Sequence, residues 1–212
     1  MPRLVKPAPA GSLGFDSVTA ITTSAVAKNL RDAGFTFAVR YLGSVSNPEI
    51  DLLLGAGLAV MPVTYSQKPG WRPSGTLGKA DGVHAVACAQ AAGIPKGATV
   101  WLDLEGPGGH AQDVIDWVGA WCAIVSAAGY DPGLYVGYGT LLTSTELYKL
   151  PVDRYWHSMS RVTDSSGALA EPGCGFCMYQ MKPSVMRGGV WVDVNVTQED
   201  NFGRVPNWVV GG

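Results

Sequence analysis

Charge is scarce in this chain. Fifteen Lys and Arg against seventeen Asp and Glu in 212 residues leave a net charge of -2. A nucleic-acid binder needs a basic stripe to neutralise phosphates, and this composition does not supply one. A neutral polymer such as a polysaccharide stays open as a partner. Histidine is rarer still, at three residues. His84 falls in a predicted helix and His110 in a loop, so only His157 lies near a strand end, which disfavours a metal-dependent phosphodiesterase.

Long apolar runs are also missing. Gly, Pro or a charge interrupts each of them before the roughly 20 residues that a membrane-spanning helix needs, so no membrane span is expected. No early basic segment leads into an apolar stretch, so no secretory signal is read here. A cell-wall substrate would then be met after release or by another delivery route. Cysteine is limited to Cys88 and Cys122 in predicted helices and the close pair Cys174 and Cys177. With no second ligand pair at suitable spacing, these read as buried or incidental thiols, and neither a metal nor a cofactor is expected. No Ser or Cys sits in a nucleophile-elbow context, and Gly106 to Gly109 lacks the Lys-Ser/Thr or spaced glycines of nucleotide sites.

Apolar residues, by contrast, make up 47% of the chain. A length of 212 residues suits one domain with an ample core. Residues 1–12 read as a polar, proline-containing lead-in and 13–210 as a single domain, expected to be a monomer. Strands are predicted over Gly14–Val18, Phe35–Leu42, Leu58–Tyr65, Thr99–Glu105 and Gly133–Tyr138. Helices follow them at Ala25–Ala33, Pro48–Ala56, a segment ending at Gly93, Ala111–Ala128 and Leu141–Tyr148, with Gly34, Gly57, Gly93 and Gly129 as stops. A loop from Ser66 to Gly75 carries Trp71. Strand and helix thus alternate with a period near thirty residues, as parallel crossover units require. Arg154–Ser160, Phe176–Met181 and Val190–Val196 then read as strands with no convincing helices between them. Eight strands with about five helices imply an incomplete TIM-like (β/α) barrel whose last quarter has lost its helices.

The strand Thr99–Glu105 ends in two carboxylates and a glycine-rich loop. Strand side chains alternate, so Asp103 and Glu105 project to one side, about 7 Å apart along the backbone. Acids at that spacing push their pKa values apart, and one can hold a proton while the other ionises, as glycoside hydrolysis requires. Solvated strand-end acids or a divalent-metal site are the alternatives. Barrel enzymes place chemistry at the C-terminal rim of the strands. Asp16 lies near the end of the first strand and Asp193 in the last, and these neighbours in a closed ring can converge there. Tyr65, Tyr138, Trp156, Tyr179 and Gln180 cluster at strand ends too, and flat aromatics with a few hydrogen-bonding groups suit sugars.

These residues resemble a family. Gly14-Phe15-Asp16-Ser17, Leu102-Asp103-Leu104-Glu105, Leu134-Tyr135-Val136-Gly137-Tyr138, Tyr179-Gln180 and Val192-Asp193-Val194-Asn195 are similar, in order and spacing, to motifs of glycoside hydrolase family 25 lysozymes. The span from about Gly11 to Trp208 resembles more closely a related glycoside-hydrolase-like domain of unknown function (DUF1906) of bacterial secreted proteins and phage lysins. The resemblance implies a barrel of eight strands and five helices. It implies cleavage of the β-1,4 bond between N-acetylmuramic acid and N-acetylglucosamine, with peptidoglycan or a related N-acetylated glycan as partner. On that resemblance Glu105 is the general acid, Asp103 orients the substrate or its N-acetyl group, and Asp16 and Asp193 hold water, substrate and charge balance. A barrel that binds wall glycan without cutting it shares the same aromatic features.

Overall fold

The computed structural model describes residues 2–65 and 67–212, without the side chains of 182 and 183; Ser66, read as the start of a loop, lies outside them. Strands β1 (Arg3–Pro7), β2 (Leu13–Ser17), β3 (Phe37–Tyr41), β4 (Ala59–Val63), β5 (Thr99–Leu104) and β6 (Asp131–Val136) open the chain. They are followed by β7 (Arg154–His157), β8 (Met178–Arg187), β9 (Val190–Thr197) and β10 (Asn207–Gly211). The helices are α1 (Ser24–Asp32), α2 (Asn47–Gly55), α3 (Gly75–Ala91), α4 (Ala111–Ala127) and α5 (Ser144–Lys149).

Strands β2 to β9 close into an eight-stranded barrel in the order β4-β3-β2-β9-β8-β7-β6-β5, with β5 returning to β4. Among the described residues five helices accompany it, so the architecture is the incomplete (β/α) barrel expected of the chain. Helix ends follow local chemistry. Thr23, Ser46 and Ser74 each accept a hydrogen bond from a backbone N–H in the first turn of their helix. Gly93 and Gly129 stop α3 and α4 with φ of +69° and +90°, a conformation costly for residues with a Cβ.

One feature departs from the sequence reading and a second adds to it. Arg3–Pro7, inside the expected lead-in, is a strand that pairs antiparallel with β10, and Val209 of that ribbon bridges to Val60 of β4. Strand β9 runs antiparallel to both neighbours, because a tight Gly188-Gly189 hairpin, not a helical crossover, joins it to β8. Asp193 therefore reaches the rim from the first half of its strand.

Alternation sorts the core into two layers. Phe37, Val39, Met61, Val63, Trp101, Tyr135, Trp156 and Met178 fill the barrel interior, with Ala8 and Trp208 in the same cluster. Residues between them in sequence, such as Ala38, Val100, Leu102, Leu104 and Leu134, face the helices. Gly133 is small because the Trp101 indole occupies the place of its Cβ, which would lie 2.5 Å from the ring. Cys122, Cys174 and Cys177 are buried and Cys88 is half-buried, all as free thiols. Among the described residues, no helix is long and apolar enough to cross a membrane.

Candidate active site

Above the Trp101 and Trp156 rings the barrel interior turns polar. A cavity of about 220 Å³ is lined by Tyr41, Val63, Asp103, Glu105, Tyr135, Trp156, Ser160, Gln180 and Asp193. The strand period places Asp103 and Glu105 on the inner face, directly following Trp101. Asp103 is 5% exposed and Glu105 half-buried.

The backbone at Glu105 is clamped. Trp71 Nε1 donates to the Glu105 carbonyl at 2.9 Å, and Gly106 N–H donates to the Tyr138 carbonyl at 3.0 Å. Gly70 and Gly108 complete the clasp by donating to the carbonyls of Gly106 and Trp71. Trp71 packs edge-on against Trp117 of α4, ring centroids 4.7 Å apart, and α4 approaches α3 so closely that a Cβ on Gly78 would lie 2.2 Å from the Trp117 carbonyl oxygen. The Glu105 side chain lies in a notch left by Gly137, whose Cβ would be 2.1 Å from Glu105 Cγ.

On the opposite wall Asp16 and Asp193 are Cα partners across the β2–β9 seam. Asn195 Nδ2 donates to Asp16 Oδ2 at 2.7 Å, and Gln180 Nε2 donates to the same oxygen at 3.1 Å and to Asp193 Oδ2 at 3.4 Å. With its nitrogen so engaged, the Gln180 amide turns its oxygen to Tyr135 Oη (3.2 Å) and Met159 N–H (3.3 Å). Tyr135 Oη also lies 3.4 Å from Glu105 Oε1, so one amide links the two carboxylate pairs. Behind β2, Arg40 is fully buried and donates to the Ser17 carbonyl and to Glu49 (2.8 Å), which fixes the backbone next to Asp16.

All four acids are pushed towards the neutral form. Burial raises Asp103 well above the ordinary carboxylate range, with Glu105 and Asp16 adding repulsion. Burial also raises Glu105, which the Tyr135 hydrogen bond partly offsets, and Asp193, where Ser184 opposes it. Asp16 is lifted from 3.8 to about 6, burial outweighing its hydrogen bonds from Asn195 and Gln180. Among the described residues none of the four acids forms an ion pair, and no group of three or more His, Cys, Asp and Glu is arranged to hold a metal ion.

The raised Asp16 makes a stability prediction. The folded state holds the proton more tightly, so the contribution is complete below about pH 4 and is lost as pH rises through 6, about 3 kcal/mol in all. Asp16→Asn keeps an acceptor for Asn195 and Gln180 without that loss. Its melting temperature should exceed wild type at pH 7.5 and match it at pH 4; equal differences at both values would refute the assignment.

Of the expected sugar contacts, Gln180 and Trp156 line the cavity, but Trp156 is 1% exposed, a floor under the site packed edge-on to Trp101 and Tyr135. Tyr65 and Tyr138 are exposed at the rim, Tyr65 leaning on Tyr41 (centroids 4.8 Å apart) and Tyr138 against Gly106. Tyr179 is a correction: it sits outside the barrel, stacked on His157, because adjacent strand residues cannot both face inward and Gln180 does. Tyr41, Tyr135 and Asn195 also belong to the site; in the sequence reading Tyr135 and Asn195 fall in family motifs without a site role, and Tyr41 is not named. The signal was present in the same alternation, since Tyr135 and Asn195 share faces with Gly137 and Asp193.

A family model for the Rv2525c-like, glycoside hydrolase-like domain matches residues 28–197. The chain belongs to that family. Among solved structures, the Tat-secreted protein Rv2525c of Mycobacterium tuberculosis, in complex with L-tartrate, aligns with a TM-score of 0.69 at 18% identity over 92% of this chain and 99% of that one. The modular autolysin LytC of Streptococcus pneumoniae, in complex with a synthetic peptidoglycan ligand, gives 0.59 at 16% identity, covering 88% of this chain and 46% of LytC. The catalytic domain of endolysin ply40, from bacteriophage P40 of Listeria monocytogenes, gives 0.56 at 14% identity, covering 88% and 93%. At these identities the likeness is one of fold. Among curated proteins none matches the chain.

Proposed function

We propose that this domain is a peptidoglycan-degrading glycoside hydrolase of the N-acetylmuramidase (lysozyme) type, cutting β-1,4 bonds of the bacterial cell wall. The observation that carries the reading is the Asp103–Glu105 pair, at the end of β5 and just beyond it, facing one cavity with both carboxyls held towards protonation. Support also comes from the exposed Tyr65 and Tyr138 at the mouth and from the fold shared with an autolysin and an endolysin catalytic domain.

Glu105 is the general acid. Its half-buried carboxyl opens to the cavity and gives its proton to the leaving glycosidic oxygen as the bond to C1 breaks. A bound sugar expels water from the site and strengthens the preference of Glu105 for the neutral form. Asp103, deeper and with Oδ1 unpartnered, orients the acetamido group of the reacting sugar, whose carbonyl oxygen can close on C1 before water opens the ring. Asp16 and Asp193, cross-linked by Gln180, hold water and substrate hydroxyls on the far wall. The protein acts on cell wall after release or secretion, as a monomer, without cofactor or metal.

Incubating the protein with purified sacculi, reducing the soluble products with borohydride and weighing them tests the proposal. Fragments ending in reduced N-acetylmuramic acid are expected. Sedimentation with sacculi but no soluble product would instead identify a glycan-binding barrel.

A further inference from the structure

We infer that the front of the β8–β9 hairpin, carrying Trp191 and Met186, is a saccharide-stacking platform that extends the acid-lined cavity beyond the barrel rim. This rests on the reading of the cavity as a glycan site.

The register decides where Trp191 stands. Asn195 and Asp193 both turn into the barrel, Asn195 to bond Asp16 and Asp193 to line the cavity. Pairing of β9 with β2 runs without a shift from Asp193 to Val196. Pairing with β8 slips between Gln180 and Lys182 and again between Lys182 and Val185, with the extra residues on β8, and is regular from Val192 through Trp191 to Val190, so β9 keeps its own alternation. Trp191 therefore occupies the same strand face, about 7 Å further out than Asp193. Its cross-strand partner is Met186. Trp191 is 57% exposed and Met186 46%.

The opposite face shows that this exposure is not fraying. Val190 and Val192 are buried in the helix-side core, and Val185 packs against it. The hairpin tip is seated on α1 so tightly that a Cβ on Gly188 would lie 2.9 Å from Leu30 Cγ. Ser17 Oγ donates to the Trp191 carbonyl at 2.7 Å and fixes the backbone beneath the indole. An anchored hairpin thus holds two large apolar side chains in water, which costs free energy unless a ligand covers them.

The neighbours specify the ligand. At the cavity wall nearest Trp191 along β9, the Ser184 hydroxyl donates to the Asp193 carboxylate at 2.9 Å, and both can bond sugar hydroxyls while the indole covers the apolar face of a ring. The patch is two side chains wide, far short of the ~800 Å² that a stable protein partner covers on each side. Asp193 lines the cavity and shares the strand face of Trp191, so the patch begins at the cavity wall, as a chain leaving the scissile site requires.

Trp191 is the only exposed tryptophan among the described residues, so a collisional quencher reads it selectively. Acrylamide quenching of the non-turning-over Glu105→Gln protein, with calorimetry in parallel, should show protection by tetra-N-acetylchitotetraose and none by N-acetylglucosamine. Trp191→Ala should bind the tetrasaccharide roughly three- to tenfold more weakly, with Trp191→Phe restoring most of the affinity. Calorimetric binding of the tetrasaccharide with unchanged quenching, or unchanged affinity in Trp191→Ala, overturns the platform and leaves the cavity reading standing. Absence of any saccharide binding overturns both.

Discussion

Glu105→Gln is expected to lower hydrolysis of peptidoglycan by about 10²- to 10⁴-fold, the range a positioned general acid supplies, while the protein folds as before. The amide has the shape of the acid and keeps Oε1 as an acceptor for Tyr135, yet has no proton to give to a leaving oxygen. Stability should hold or rise at neutral pH, because burial already disfavours the charged form of Glu105 in the folded state. Turnover of sacculi, followed by release of reducing ends, and a thermal melt at pH 7.5 separate the two effects. Activity at the wild-type level in a folded Glu105→Gln protein removes Glu105 from the chemistry. Loss of activity together with loss of the melt would mean only that the side chain holds the rim together.

The contrast between the two walls of the cavity shows what could be read from the chain alone. On β5 the chemistry is local: an apolar run that ends in Asp-x-Glu states its own alternation, so the inward direction of Asp103 and Glu105 follows once one neighbour is assigned to the core. The far wall depends on long-range pairing. That Asp16 faces Asp193 across a seam needs the ring to close, which the strand count implies. The direction of β9 needs the nature of a connection that a loop rich in Gly does not declare. Tyr179 and Gln180 illustrate a one-residue problem, since both lie at a strand end and alternation admits only one of them to the interior. The β1–β10 ribbon was illegible for a similar reason. Short terminal segments carry no periodicity of their own and become strands by finding each other across the length of the chain.

Glycine adjacency is a further layer that sequence patterns do not express, and Gly137 is where it bears most on function. Its backbone is ordinary, with N–H bonded to the Leu104 carbonyl at 2.9 Å and no positive φ, so the chain there accepts alanine without strain. Space alone forbids it. A Cβ would lie 2.1 Å from Glu105 Cγ, 2.4 Å from Oε1 and 2.7 Å from Cδ, all well inside contact distance. Glu105 is half-buried and has room to swing towards solvent, so Gly137→Ala should cost only about 1–3 kcal/mol of stability. Displacement of the acid by an ångström or more should cost about 10²-fold in kcat with little change in KM, since the rim aromatics and the Asp16–Asp193 wall are untouched. Gly119→Ala, on α4 with nothing within 4 Å of the new methyl, is the control and should leave activity unchanged. Combining Gly137→Ala with Glu105→Gln should add nothing to the loss caused by Glu105→Gln alone, because both act on one proton donor. Full activity in Gly137→Ala, or additive losses in the double variant, would show that the notch does not set the position of the acid.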